Sequence, residues 1–139
     1  MNAREILESF KKLESELNQI RKQIEELRSS IDSIQAISYD KERVQTSGIS
    51  NVVENFVIRS EKLIDMLIKK QEEVTENKQN IIDMINTLDD SKLIEVLHRR
   101  YIDLMSFNAI ADSMNFSTVY IFKLHEKGLK ELEKKLYID

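Results

Sequence analysis

The chain has 139 residues and a formal net charge of -4, with no Pro, no Cys and only two glycines, Gly48 and Gly128. So few helix breakers point to long uninterrupted helices, because Pro removes a backbone donor and clashes with the preceding turn. A composition that is 33% charged and 6% aromatic is that of a helical bundle, not a sheet, and it excludes disulfides, thiolate metal sites and a membrane span of roughly 20 apolar residues.

The first residues, Met-Asn-Ala-Arg-Glu, lack the basic-then-apolar pattern of a secretion signal, so a cytoplasmic protein is expected. Apolar residues then recur at Ile6, Phe10, Leu13, Leu17, Ile20, Ile24, Leu27, Ile31 and Ile34. Their alternating steps of four and three are the heptad of a coiled-coil seam. The spacing predicts a helix over about 3–37, on the order of 50 Å long at ~1.5 Å per residue. A stripe this narrow needs a partner to cover it.

Residues 38–49 lose the repeat and gather Ser, Thr and Gly, which predicts a connection. The repeat resumes at Val53, Val57, Ile64, Leu67, Val74, Ile81, Ile85 and Leu88, with Ser60, Gln71 and Lys78 in the remaining seam slots. Phe56, Leu63, Ile68 and Ile82 broaden this face, as in a helix that touches more than one neighbour. A second helix over about 50–88 matches the first in length, and an antiparallel hairpin is the simplest arrangement. A parallel dimer through the first helix is the alternative, since Glu16 and Arg21 occupy g and the following e position. Phe10, Leu13, Leu17, Ile20, Ile24, Leu27, Ile64 and Leu67 are the expected seam residues, in the hairpin or between copies. Self-association, most simply as a dimer, is expected in either case.

Residues 1–90 carry 13 Lys and Arg against 18 Asp and Glu, whereas residues 91–139 carry 8 against 7. This asymmetry permits nucleic-acid binding at the C-terminal end. Asp89-Asp90-Ser91 supplies a helix start, followed by a helix through Leu93, Leu97, Tyr101 and Leu104. Ser106 offers a second cap before Phe107–Met114, Asn115 tolerates left-handed backbone, and Ser117 caps a last helix over about 118–136. Short helices divided by capped turns are what a helix-turn-helix needs.

In the last helix Ile121, Leu124, Gly128 and Leu132 fall on one side at about 100° per residue, with Val119, Lys123, Lys127, Lys130 and Lys134 opposite. The lysine row suits the phosphates that line a DNA groove, and Arg99 and Arg100 add flanking cations. The plainer reading of such a row is a solvated helix face. His98 and His125 have no neighbours at metal spacing and read as surface or boundary histidines. No catalytic constellation or phosphate loop appears, so no enzyme, cofactor, metal or small-molecule substrate is expected.

Arg100-Tyr101, Ser106–Met114, Asn115-Phe116-Ser117, Ile121, Leu124, Gly128, Leu129 and Leu132 together resemble region 4 of bacterial sigma factors, a helix-turn-helix. In that family Ile-Ala sits mid-helix so that the helices cross closely, as Ile110-Ala111 does here, and Asn115 takes the place of the usual turn glycine. The resemblance implies base-reading roles for Thr118, Val119, Tyr120, Phe122 and Lys123. The apolar members of that set suit thymine methyls but discriminate less than bidentate hydrogen bonds do. The whole chain, with its coiled front and Arg43-Val44-Gln45-Thr46-Ser47 connection, also resembles phage late-transcription regulators of the ArpU and RinA type.

The resulting expectation is an all-α chain: a long antiparallel helical hairpin or coiled coil over residues 1–88, then a three-helix helix-turn-helix domain over 89–139. Its function would be sequence-specific binding of double-stranded DNA to regulate transcription of phage or prophage late genes. The alternative is a protein-interaction module that engages RNA polymerase or another regulator through Val119, Tyr120 and Phe122. DNA recognition during packaging ranks third, because small terminase subunits usually place the DNA motif before the oligomerising helices.

Overall fold

The computed structural model describes residues 2–40 and 46–137, with side chains for 2–33 and 51–137. Five helices follow one another: α1 (Ala3–Asp40), α2 (Thr46–Ile85), α3 (Ser91–Tyr101), α4 (Phe107–Met114) and α5 (Thr118–Leu136). No strand occurs among the described residues, and no helix there is long and apolar enough to cross a membrane. The fold is all-α.

Both long helices run into the predicted connection, α1 to Asp40 and α2 from Thr46, while residues 41–45 lie outside the described residues. Losing the apolar repeat removes a reason for burial, and a stretch without Pro can still keep helical hydrogen bonds. The far end of α2 is shorter than expected and stops at Ile85. There Thr87 and Leu88 donate backbone bonds to Met84 and Ile85, and the Thr87 hydroxyl donates to the Met84 carbonyl. These three-residue closures tighten the chain into a turn while keeping Leu88 buried.

The chain divides into two compact units: Met1–Glu14 with Glu73–Asp139, and Ser15–Glu72. Within the second unit Lys70 Nζ lies 2.8 Å from Glu16 Oε2, and Arg21 Nη2 donates to Gln71 Oε1 at 3.0 Å. Further along, Gln23, Leu27 and Ser30 share a groove with Arg59, Leu63 and Met66. Rising numbers on α1 thus meet falling numbers on α2, so the pairing is antiparallel within one chain. Glu16 and Arg21 contact α2 of their own chain here.

The α1 seam is as expected, with Phe10, Leu17, Ile20 and Ile31 buried and Leu13, Ile24 and Leu27 half-buried. On α2 the inward line differs by one position at alternate steps. Phe56, Leu63 and Lys70 are partly covered along with Ser60 and Leu67, whereas Val53, Val57 and Ile64 are exposed. Two adjacent columns of apolar residues satisfy the same period, and the partner helix takes the column containing the larger Phe56.

In the other unit, Asn2 and Glu5 start α1 with a reciprocal capping box: Glu5 N–H donates to Asn2 Oδ1 at 2.9 Å and Asn2 N–H to Glu5 Oε2 at 3.3 Å. Asn77 Nδ2 donates to Ser9 Oγ at 2.9 Å, and Lys78 Nζ lies 5.9 Å from the centre of the Phe10 ring. Ala3, Leu7, Ile81, Ile85 and Leu88 are buried in this unit together with the cores of α3, α4 and α5.

The three short helices start at the predicted caps. Asp90 accepts from Lys92 N, Ser106 from Ala109 N and Ser117 from Tyr120 N, each satisfying an amide that lacks an intrahelical partner. Asn115 ends α4 in left-handed backbone at φ 58, ψ 40. α3 stops at Tyr101, short of the predicted Leu104. Asp103 N and Met105 N turn back to the carbonyls of His98 and Arg99, and Leu104 takes φ 56 in the turn. Leu93, Val96, Leu97, Ile110, Ala111, Ile121, Leu129 and Leu132 are all buried, closing α3, α4 and α5 around one core.

Candidate functional site

α5 turns its inner side to that core, so its outer side is fixed by periodicity. Val119, Lys123, Lys127, Lys130 and Lys134 are all exposed, Val119 at 65%. Val119, Phe122, Lys123, Glu126, Lys127 and Lys130 line a surface groove of about 500 Å³. The expected lysine row is therefore solvent-facing, with two apolar side chains beside it.

The start of α5 is braced by α4. Thr118 Oγ1 donates to Asn108 Oδ1 at 3.2 Å, which ties the first turn of one helix to the first turn of the other. Tyr120 meets Phe116 edge-on at 4.9 Å, and Lys92 Nζ stands 5.6 Å from the Phe116 ring centre. Phe122 is 46% exposed, yet its ring centre is 4.6 Å from that of Phe107. One side of Phe122 thus packs on α4 while the other remains available.

Arg99 and Arg100 are engaged within the fold. Arg99 Nη2 pairs with Glu95 Oε1 at 2.9 Å, and Arg100 donates to the Met105 carbonyl while its guanidinium lies 4.1 Å from the Phe107 ring centre. Arg100 secures the α3–α4 turn. Both arginines thus have partners within the fold while keeping part of their surface exposed.

The histidines separate. His98 is partly exposed, with Nδ1 3.5 Å from Asp103 Oδ2. His125, expected at the surface or boundary, is instead 4% exposed. Its Nε2 is 2.6 Å from the Tyr101 hydroxyl, its ring stacks on Tyr101, and Phe107 meets it edge-on. Its Nδ1 lies 3.4 Å from Glu126 Oε1 but outside hydrogen-bonding geometry. A hydroxyl donating to Nε2 fits the Nδ1–H tautomer. Burial lowers the His125 pKa, with the Glu126 carboxylate acting in the opposite direction, and burial likewise raises that of Tyr101. His125 is a core residue.

Contacts from the start of α1 complete the surroundings of α5. Ala3 N–H donates to Glu133 Oε2 at 2.7 Å, and Arg4 Nη2 to Glu126 Oε1 at 3.0 Å. Lys135 donates to the Thr87 carbonyl from the last turn. No local pattern marks Arg4, because its partner lies far along the chain. The burial of His125 did have a signal, since it sits one residue from Leu124 on the inner face of α5. Among the described residues no group of His, Cys, Asp and Glu could hold a metal ion.

A sequence family described as "Protein of unknown function (DUF1492)" matches residues 41–133. The chain belongs to this family. Comparison with curated proteins and with solved structures gives no match. The DUF1492 match includes α2, α3, α4 and most of α5, while α1 lies outside it. The lysine row as far as Lys130 and all three helix caps thus fall within the DUF1492 region, whereas Ala3 and Arg4 do not.

Proposed function

We propose that this DUF1492 protein is a DNA-binding transcriptional regulator whose α5 enters the major groove. The observation that carries the reading is the outward lysine row on the second helix of a capped helix-turn-helix, opposite a buried inner side that is apolar apart from His125. Lysines spaced along one helix face bring charge to the phosphates of both groove walls, giving affinity that falls steeply with salt. Val119, Tyr120 and the open side of Phe122 are offered to base edges, where they suit thymine methyls. The resemblance to sigma region 4 and to the ArpU and RinA regulators supports a role at phage or prophage late genes, in the cytoplasm.

Copies of the chain associate through α2 in this proposal. Val53, Val57, Ile64 and Ile68 form an exposed apolar column beside the hairpin seam, and such patches mark interaction surfaces. Joining two helix-turn-helix units would set the spacing between half-sites.

The test is fluorescence anisotropy of the full chain on mixed-sequence duplex DNA across a salt series. The reading predicts binding whose log affinity falls linearly with log salt, with a slope of about -2 to -4 for a few phosphate contacts. No binding at low salt overturns it. A second reading, docking to RNA polymerase or another regulator, is favoured by the exposure of Val119 and Phe122. Under that reading Tyr120→Ala with Phe122→Ala abolishes capture of the protein partner and leaves DNA affinity unchanged.

A further inference from the structure

Glu126 is the one carboxylate among the six residues lining the outward groove of α5. A bare carboxylate between Phe122 and Lys130 would repel the phosphates that the lysines attract. It is not bare. Arg4 reaches over from the first turn of α1 and donates to Glu126 Oε1 at 3.0 Å.

The reach of Arg4 is built into the fold. The preceding residue, Ala3, is buried and donates its amide to Glu133 on α5, and Leu7 one turn later has no exposed surface. The Asn2–Glu5 capping box fixes the helical turn that carries Arg4. At the pair itself both side chains remain about half exposed, where an ion pair contributes little to folding. So much fixed structure around a weakly stabilising pair gives the pair a different consequence: it sets the charge that α5 presents.

We propose that Arg4 is a positioning residue of the nucleic-acid face, neutralising Glu126 so that the lysine row presents an unbroken positive surface to a phosphate backbone. This rests on the reading of α5 as the DNA-binding helix. Arg4 acts through Glu126 and makes no phosphate contact of its own. The DNA-binding surface then begins at the fourth residue of the chain, far in sequence from the helix-turn-helix.

A double-mutant cycle on the full chain separates these roles. Anisotropy on one duplex at about 0.1 M salt, where exposed charges act over roughly 10 Å, compares wild type, Arg4→Ala, Glu126→Gln and the double variant. Arg4→Ala is expected to weaken binding by roughly three- to tenfold, a loss of the size a nearby uncompensated charge produces. Glu126→Gln should bind at least as well as wild type, and in that background Arg4→Ala should change affinity by less than about twofold. Arg4→Gln provides a second neutral variant, and thermal melting checks that each protein is folded.

An equal loss in both backgrounds overturns the proposal, because Arg4 would then act on DNA directly. Unchanged affinity for folded Arg4→Ala and Arg4→Gln also overturns it, while leaving wild-type binding and the DNA reading intact. Failure of the wild-type chain to bind removes the DNA reading and, with it, this role for Arg4.

Discussion

Gly128 on α5 faces Leu97 on α3 so closely that a Cβ at Gly128 would stand 3.0 Å from Leu97 Cδ1. Both residues are buried, and Leu97 has no exposed surface. The glycine lets the helices approach at this point. Gly128→Leu should therefore destabilise the fold by about 2–4 kcal/mol through overpacking, read by chemical denaturation. Gly128→Leu combined with Leu97→Ala should recover part of that loss, because the second change vacates the space the first one fills. No recovery would show that Leu97 is not what limits the site.

His125 makes stability depend on pH. Its folded pKa lies below the 6.5 of a free imidazole because it is buried. The unfolded chain therefore takes up a proton first, and the contribution present above pH 6.5 is lost as pH falls toward the folded value. Tyr101 acts at the other end, its raised pKa withdrawing stability only above pH 10. Melting should be lower at pH 5.5 than at pH 7.5, with a smaller difference in His125→Gln. Equal pH sensitivity in the two proteins contradicts this assignment. Tyr101→Phe should cost about 1–2 kcal/mol, because it leaves the buried Nε2 unpartnered.

Asn77 Nδ2 bonds to Ser9, while its Oδ1 is buried without a hydrogen-bond partner. A polar residue in such a seam favours one register at some cost in stability. Asn77→Leu is expected to raise stability by about 1 kcal/mol, the scale of an unsatisfied buried acceptor. A fall in denaturation midpoint would contradict that.

The α2 column has a self-complementary spacing. Val53 to Ile68 and Val57 to Ile64 share one midpoint, between Ser60 and Glu61, so an antiparallel pair of α2 helices sets Val opposite Ile at both positions. Val57→Glu with Ile68→Glu should convert the proposed dimer to monomer in light scattering without lowering the melting temperature measured on the monomer. An unchanged mass would exclude this face as the joint.

The sequence was most informative where structure is local. Asp90, Ser106 and Ser117 cap their helices, and Asn115 takes left-handed backbone, because each effect needs only a few consecutive residues. The α1 seam was legible for the same reason, since a single apolar column has one way to face inward. On α2 two columns compete, and only the partner helix decides that Leu63 is the more covered while Ile64, though it lines a groove with Ile24 and Leu27, stays 47% exposed. The roles of Arg4, Arg100 and Glu126 were not legible. An ion pair spanning 122 positions leaves no periodic trace, and whether an arginine is free depends on what folds beside it. The lysine row was legible as a pattern, and its exposure follows from the burial of Ile121, Leu124 and Leu132 behind it.

DNA binding through the α5 lysine row is the proposal on which the other roles depend, and two charge reversals of equal size at different places on the chain separate it from a general charge effect. Lys123→Glu with Lys127→Glu alters the α5 face, while Lys11→Glu with Lys12→Glu makes the same change on exposed α1 positions. Anisotropy on one duplex at about 0.1 M salt should show the α5 variant at least ~30-fold weaker, since each removed cation loses a phosphate contact and each added anion repels. The α1 variant should stay within about threefold of wild type. Equal affinities for the two variants would contradict the proposal.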